Sequence, residues 1–332
     1  MSERNPTPSL VAAAGRPPLR LGSLNGIWLP ITVVVVLVVF FSLVTDAFFS
    51  LRNMTGILGQ ASTLLLACLG ASFVVLMGSI DLSVGAIVLL VGAITVKALN
   101  AFGLGVEALL VSLLAGAALG FGNGIIYAWG RIPSFVVTLG TLSVFTGSAW
   151  QILEGRALRF TSTSFEDLAI GQFIPYVPNI ALFALGAWTL ASLIGQMTRF
   201  GRYMYIIGGG EAVARTAGIP ITRYKIYAFV CSGLMAGLAG ALAVARLGAA
   251  GPTLGQDLLL NTLAAIVVGG TSLSGGIGGV HRTLIGVAII ALLDNGLNLM
   301  GVNQYTQMVI KGAVVVAAVL IGQDRRNSVV IK

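Results

Sequence analysis

The sequence predicts an all-α fold, a polytopic membrane bundle of about ten transmembrane helices. Three observations predict it. Of 332 residues, 57% are apolar and only 9% are charged, whereas a protein folded in water carries about a quarter charged residues. Apolar runs of roughly 17–25 residues, the length that crosses a hydrocarbon core of about 30 Å, recur along the chain. Lys and Arg gather in alternate connections between those runs, the pattern that distinguishes cytoplasmic from external loops.

Residues 1–26 form a basic tail with Arg4, Arg16 and Arg20. The apolar run 27–44 is too long for the core of a cleavable signal and reads as a retained first span, with the tail in the cytoplasm. Further spans are expected at 54–77, 82–99, 105–129, 132–150, 177–195, 224–245, 254–272, 280–299 and 304–321. The eighth carries Gln256, Asp257 and Asn261, which shortens its apolar part. It reads as a broken or re-entrant helix, tolerated only where it is buried in protein or lines a cavity. Residues 322–332 form a second basic tail, so 27–321 is the membrane domain.

Ten spans put both termini on the cytoplasmic side. Thirteen Lys and Arg then fall inside: Arg4, Arg16, Arg20, Arg131, Arg199, Arg202, Arg215, Arg223, Lys225, Arg282, Arg325, Arg326 and Lys332. Five fall outside: Arg52, Lys97, Arg156, Arg159 and Arg246. That bias favours an even number of spans. Two connections are long. Residues 151–176 are external and nearly neutral, a plausible surface for an external partner, and 196–223 are internal, basic and amphipathic.

Composition also excludes functions. The formal charge is +8, yet no segment interleaves basic and aromatic residues as a nucleic-acid groove does, so no nucleic-acid partner is expected. Cys68 and Cys231 lie in apolar stretches and read as small hydrophobes without a disulfide. One histidine, His281, with scattered carboxylates supplies neither a catalytic nor a metal set, and no cofactor is expected. The run GGTSLSGG at 269–276 lacks the lysine of a phosphate loop, so ATP hydrolysis would require a separate chain.

Polar residues within spans are costly and mark either helix contacts or a pathway. Asp81, at the junction of the second and third spans, fits an N-cap or a transport pathway. Asp294 and Lys311 fit an intramembrane ion pair or a transport role. Asn123, Asn295 and Asn298 suit either a hydroxylated solute or bonds between helices. Gly116, Gly120 and Gly124, like Gly233 and Gly237, repeat at four-residue spacing and favour close helix packing. A helix, a glycine-containing break and a second helix occur at 61–95 and again at 258–292, a weak internal repeat.

The internal loop carries the strongest local signal. Gly208-Gly209-Gly210 breaks the chain, Glu211 to Ala217 can form two helical turns, and Gly218-Ile219-Pro220 ends them. Glu211 complements the helix dipole, and Ala212, Ala214 and Ala217 offer a smooth surface for another protein's groove. A solvated loop between glycines is the plainer reading.

The run from Thr198 to Gly240, TRFGRYMYIIGGGEAVARTAGIPITRYKIYAFVCSGLMAGLAG, closely resembles the coupling-loop region of permeases in ribose-, xylose- and arabinose-type ABC importers. MGSIDLSVGA at 77–86, GRIPSFVVTLGTL at 130–142, AAIVVGGTSLSGGIGG at 264–279 and DNGLNLMGVNQYTQMVIKGAVVV at 294–316 match in family order. Leu259 and Asn261 depart from the Glu and Asp usual in related permeases, and Arg282 from a usual Gly. The resemblance implies an inner-membrane subunit translocating a small sugar-like solute. Its implied partners are ATPase subunits below, an external solute-binding protein above and a second permease copy or paralogue. It makes Glu211, Ala212, Ala214, Arg215 and Gly218 the residues that couple to the ATPase. Arg199, Arg202 and Arg223 read as topological anchors. Independently of the resemblance, Asp81 or Asp294 would serve an ion-coupled secondary transporter as the proton carrier.

Overall fold

The computed structural model describes residues 25–322; both basic tails, with Arg4, Arg16, Arg20, Arg325, Arg326 and Lys332, lie outside the described residues. The helices are α1 (Asn25–Val44), α2 (Leu51–Leu76), α3 (Val84–Phe102), α4 (Ala108–Gly130), α5 (Ser134–Leu153) and α6 (Thr163–Ile170). They continue as α7 (Asn179–Met197), α8 (Arg199–Gly209), α9 (Glu211–Thr216), α10 (Ile221–Leu247), α11 (Leu258–Val268), α12 (Thr283–Leu299) and α13 (Gln304–Gly322). Two short strands, β1 (Leu158–Arg159) and β2 (Ala249–Ala250), pair antiparallel, and a 3₁₀ turn at Val280–Arg282 leads into α12. Every expected span contains a helix. Among the described residues α2, α3, α4, α5, α7, α10 and the turn with α12 are long and apolar enough to cross a membrane.

The eighth expected span is shortened as its polar residues suggest. The α11 helix starts only after Asp257 and stops at Gly269-Gly270, where Gly270 has φ +90. Its 11 residues reach about 16 Å, roughly half the hydrocarbon thickness.

The central helix is α10, which packs most extensively on α4, α2 and α3. Small residues make this possible. A Cβ added to Gly237 would lie 2.7 Å from the Ser112 carbonyl oxygen, and one added to Gly120 would lie 3.0 Å from the Cα of Gly233. The glycine rows of α4 and α10 therefore place backbone against backbone, the packing role expected of them. On the α2 side, a Cβ on Gly70 would lie 2.6 Å from the Cys231 carbonyl oxygen. Cys68 and Cys231 are both free thiols.

The 27 residues of α10 extend about 40 Å. Beyond its C-terminus β2 pairs with β1, the Trp150 indole donates to the Pro252 carbonyl, and α6 packs on α7 and α10. The connection 151–176 is thus partly folded around the buried Phe165. At the opposite end α8 and α9 precede the N-terminus of α10.

Two helix breaks meet beside α8. The α2 helix ends in a tight turn with Gly78 at φ +77, and the Gly276 N–H donates to the Leu76 carbonyl at 2.9 Å. A Cβ on Gly275 would lie 2.6 Å from the Gly78 nitrogen, so the α2–α3 and α11–α12 connections touch at their glycines. Gly208 of α8 joins them: a Cβ there would collide with the Leu76 carbonyl oxygen. The two segments that suggested a repeat are in contact at their turning points.

Candidate functional site

The loop that carries the strongest sequence signal folds as expected from its breakers. Gly210 precedes the six-residue α9, and Gly218, at φ +73, ends it with the Ile219 N–H donating to the Ala214 carbonyl. Glu211 in the first turn accepts from Arg215 at 3.2 Å and from Lys225 of α10 at 2.9 Å. Ala212, Arg215 and Gly218 are exposed. Ala214 corrects the expected smooth face: it is fully buried and, with Ile219, seats α9 on the bundle, while Val213 projects outward at 66% exposure. A one-residue rotation of such a short amphipathic turn decides which alanine faces out.

A groove of about 1030 Å³ separates α9 from the turn that joins α4 to α5. Its walls include Trp129, Arg131 and Pro133 on one side and Glu211, Arg215 and Ile219 on the other, with Arg223 and Lys225 from α10. Four cations to one carboxylate make it basic. The hydrogen bond from Lys225 holds the Glu211 carboxyl below the usual carboxylate range, despite some burial. Because the folded value is depressed, this anchor contributes fully above the ordinary carboxylate range and is lost as pH falls through the lower folded value. Protection of the α9 amides against hydrogen exchange, taken relative to the intrinsic rate at each pH, is therefore expected to hold from neutral pH to the ordinary carboxylate range and to fall only below it. Glu211→Gln is expected to remove that pH dependence.

Deeper in the bundle the α2–α3 break holds a polar cluster. The Asp81 carboxylate is buried and accepts from the Ser83 N–H at 2.9 Å, from the Ser83 hydroxyl at 2.6 Å and from the Ser232 hydroxyl at 2.7 Å. Asn123 of α4 donates to the Ser83 hydroxyl at 2.8 Å, while its Oδ1 has no hydrogen-bond partner in the structure. The backbone N–H groups of Ile80 and Leu82 donate to Ser134 and Thr138 of α5. The N-cap of α3 is Ser83 and carries no side-chain cap, so Asp81 is not the cap its position suggested; its carboxylate forms an Asx turn on Ser83 and ties that turn to Ser232 of α10.

The other expected polar residues lie elsewhere. Asn295 exchanges amide hydrogen bonds with Asn53 at 2.7 and 3.0 Å, bridging α12 to α2. Asn298 is exposed near the end of α12. Asp294 pairs with Lys311 at 3.1 Å and accepts from Asn261 at 3.1 Å, so α11, α12 and α13 meet at one ion pair. Removing one partner leaves a charge uncompensated, at a cost of about 3–5 kcal/mol, whereas removing both is nearly neutral. Asp294→Asn and Lys311→Met are each expected to lower the thermal midpoint of detergent-purified protein, and the double variant is expected to recover most of the loss.

Three side chains escaped sequence reading. Lys225 resembled any other basic residue flanking a span, and neither Tyr127 nor Ser79 bears a local mark. Ser83, two residues after Asp81, was legible as an Asx-turn partner.

The family described as branched-chain amino acid transport system / permease component matches residues 53–319. The chain belongs to this permease family. It is also 38% identical over 302 residues to the ribose import permease protein RbsC of Escherichia coli (strain K12), covering 88% of this chain and 92% of that one. RbsC of Bacillus subtilis (strain 168) is 38% identical over 295 residues, covering 88% and 91%. The D-allose transport system permease protein AlsC of E. coli (strain K12) is 35% identical over 289 residues, covering 86% and 87%. No solved structure matches significantly. The permease is the multi-pass membrane subunit of an ABC importer, and the matched region includes α9, its groove and both helix breaks.

Proposed function

We propose that this permease carries a small sugar across the bacterial inner membrane, driven by ATPase subunits that engage α9. The observation that carries the coupling part is the construction of α9: a short helix with exposed Ala212, Val213 and Arg215, held to the bundle by Ala214, Ile219 and the Glu211–Lys225 contact. Behind it the groove leaves room for α9 to move toward the α4–α5 turn. Both termini and α9 lie on the cytoplasmic side in this reading, which the Lys and Arg bias supports.

The named activities of the ribose and allose permeases support a pentose or hexose as solute, ahead of a polyol or a furanosyl signal. An external binding protein delivers it to the end that carries β1, β2 and α6, and a second permease copy or paralogue completes the pathway. Asp81, Asn123, Asn295 and Asn298 are the pathway candidates in this reading; the first three also bond between elements, and Asn298 is exposed on α12. The test is uptake into proteoliposomes containing permease, ATPase subunits and binding protein, with labelled D-ribose and D-allose as probes. Uptake of one of them that requires internal ATP supports the reading. Uptake driven by a proton gradient without ATP would replace it with a secondary carrier.

A further inference from the structure

A continuous set of contacts runs from α9 to the break between α2 and α3. It starts at Glu211, whose carboxylate takes the Lys225 ammonium at 2.9 Å. That ammonium sits 4.6 Å from the centre of the Tyr127 ring. The Tyr127 hydroxyl is 2.8 Å from the hydroxyl of Ser79, which lies inside the break, two residues before Asp81. Ser79 and Asp81 are both 3% exposed.

The orientation of Lys225 separates it from the other basic residues at this end. A lysine that merely anchors a span extends toward water and lipid phosphates. The side chain of Lys225 is instead 15% exposed, against 75% for Arg215, and lies between a carboxylate and an aromatic face. A cation–π contact strengthens when it is desolvated, and so does an ion pair supported by further contacts. The break at the far end is itself discontinuous: Gly78 turns the chain, and Asp81 ties it to Ser232 of α10.

We propose that Lys225 and Tyr127 are positioning residues that link α9 to the α2–α3 break, so that displacement of Glu211 moves Ser79 and the break. This rests on the reading of α9 as the helix that receives force from the ATPase. Gly208 supplies a second, steric connection at the same place, because α8 rests against the Leu76 carbonyl and Gly276 without intervening side chains. The Tyr127–Ser79 hydrogen bond adds direction to that contact: it pulls on the break as α10 and α4 shift, whereas glycine packing only pushes.

Ser274 reports the break directly, since its carbonyl oxygen would lie 3.1 Å from a Cβ on Gly78 and the residue is exposed. Ser274→Cys in a Cys231→Ala background, assembled with the ATPase subunits in nanodiscs, is labelled with a water-soluble maleimide before and after trapping with ATP and vanadate. Trapping is expected to change the labelling rate about tenfold, within the usual range of coupling between sites. Tyr127→Phe and Ser79→Ala, each removing one end of the same hydrogen bond, are expected to reduce that change to less than about twofold. The double variant should do no more than either alone. Lys225→Met should behave like them and Lys225→Arg should keep the change. Assembly and thermal midpoint should stay close to the parent in Tyr127→Phe, which separates a link from simple packing.

The proposal is overturned if Tyr127→Phe and Ser79→Ala retain the parent's change, or if their effects add. Arg215→Glu distinguishes the two levels. If it abolishes the labelling change while Tyr127→Phe and Ser79→Ala do not, the relay alone fails. If Arg215→Glu also leaves the change intact, the coupling role of α9 fails and the relay with it.

Discussion

Replacing Arg215 by Glu is expected to abolish ATP-driven uptake while leaving the permease folded and inserted. The side chain is 75% exposed, and within the chain it pairs with Glu211 at 3.2 Å. An exposed pair of this kind contributes at most about 1 kcal/mol to stability. The reversal places two acids four residues apart on α9, a penalty of a few tenths of a kcal/mol. The effect on the fold is therefore small. At an interface, by contrast, like-charge juxtaposition costs several kcal/mol, which corresponds to a loss of 100-fold or more, as an order of magnitude. Transport, ATP hydrolysis by the assembled complex and thermal midpoint should be measured together. Normal transport would show that α9 does not meet the ATPase through Arg215.

The second large effect is structural. Gly233→Leu should prevent α4 and α10 from packing, because even a Cβ at Gly233 would lie 2.7 Å from the Cα of Gly120. Relief requires the two helices to separate, and both are backbone-to-backbone over several turns. Overpacking a close-packed core costs about 1–3 kcal/mol and more when backbone must move, against a total stability of about 5–15 kcal/mol. We expect Gly233→Leu to lose most of its monodisperse peak in size-exclusion chromatography. Gly122→Ala is the control, since nothing lies within 4 Å of its added Cβ. Equal loss in both variants would contradict close packing at Gly233 as the cause.

What the sequence disclosed follows the range of the interactions. The spans were legible because burial in lipid imposes a length and an apolar composition on each. The shortened α11 was legible because Gln256 and Asp257 precede it and Gly269-Gly270 follows. The limits of α9 were set by local chemistry, three glycines before it and Gly218-Ile219-Pro220 after. The face that α9 presents was not, because Ala214 packs against residues distant in the chain. Asn295 was a candidate to meet solute, yet its amide is matched by Asn53, 242 residues away, and no local pattern announces such a pairing. The same holds for Lys225. Its position at the start of α10 reads as a topological anchor, and its inward turn depends on Glu211 and Tyr127 arriving from two other elements.

The central claim is that this permease moves its solute only when ATPase subunits act on α9. Its most direct measurement is uptake by proteoliposomes prepared with permease and binding protein, with and without the ATPase subunits. ATP and a proton gradient should be applied separately. Uptake is expected only when the ATPase subunits and ATP are both present, and is expected to be lost in Arg215→Glu. Uptake that follows the proton gradient in the absence of the ATPase subunits would contradict that claim.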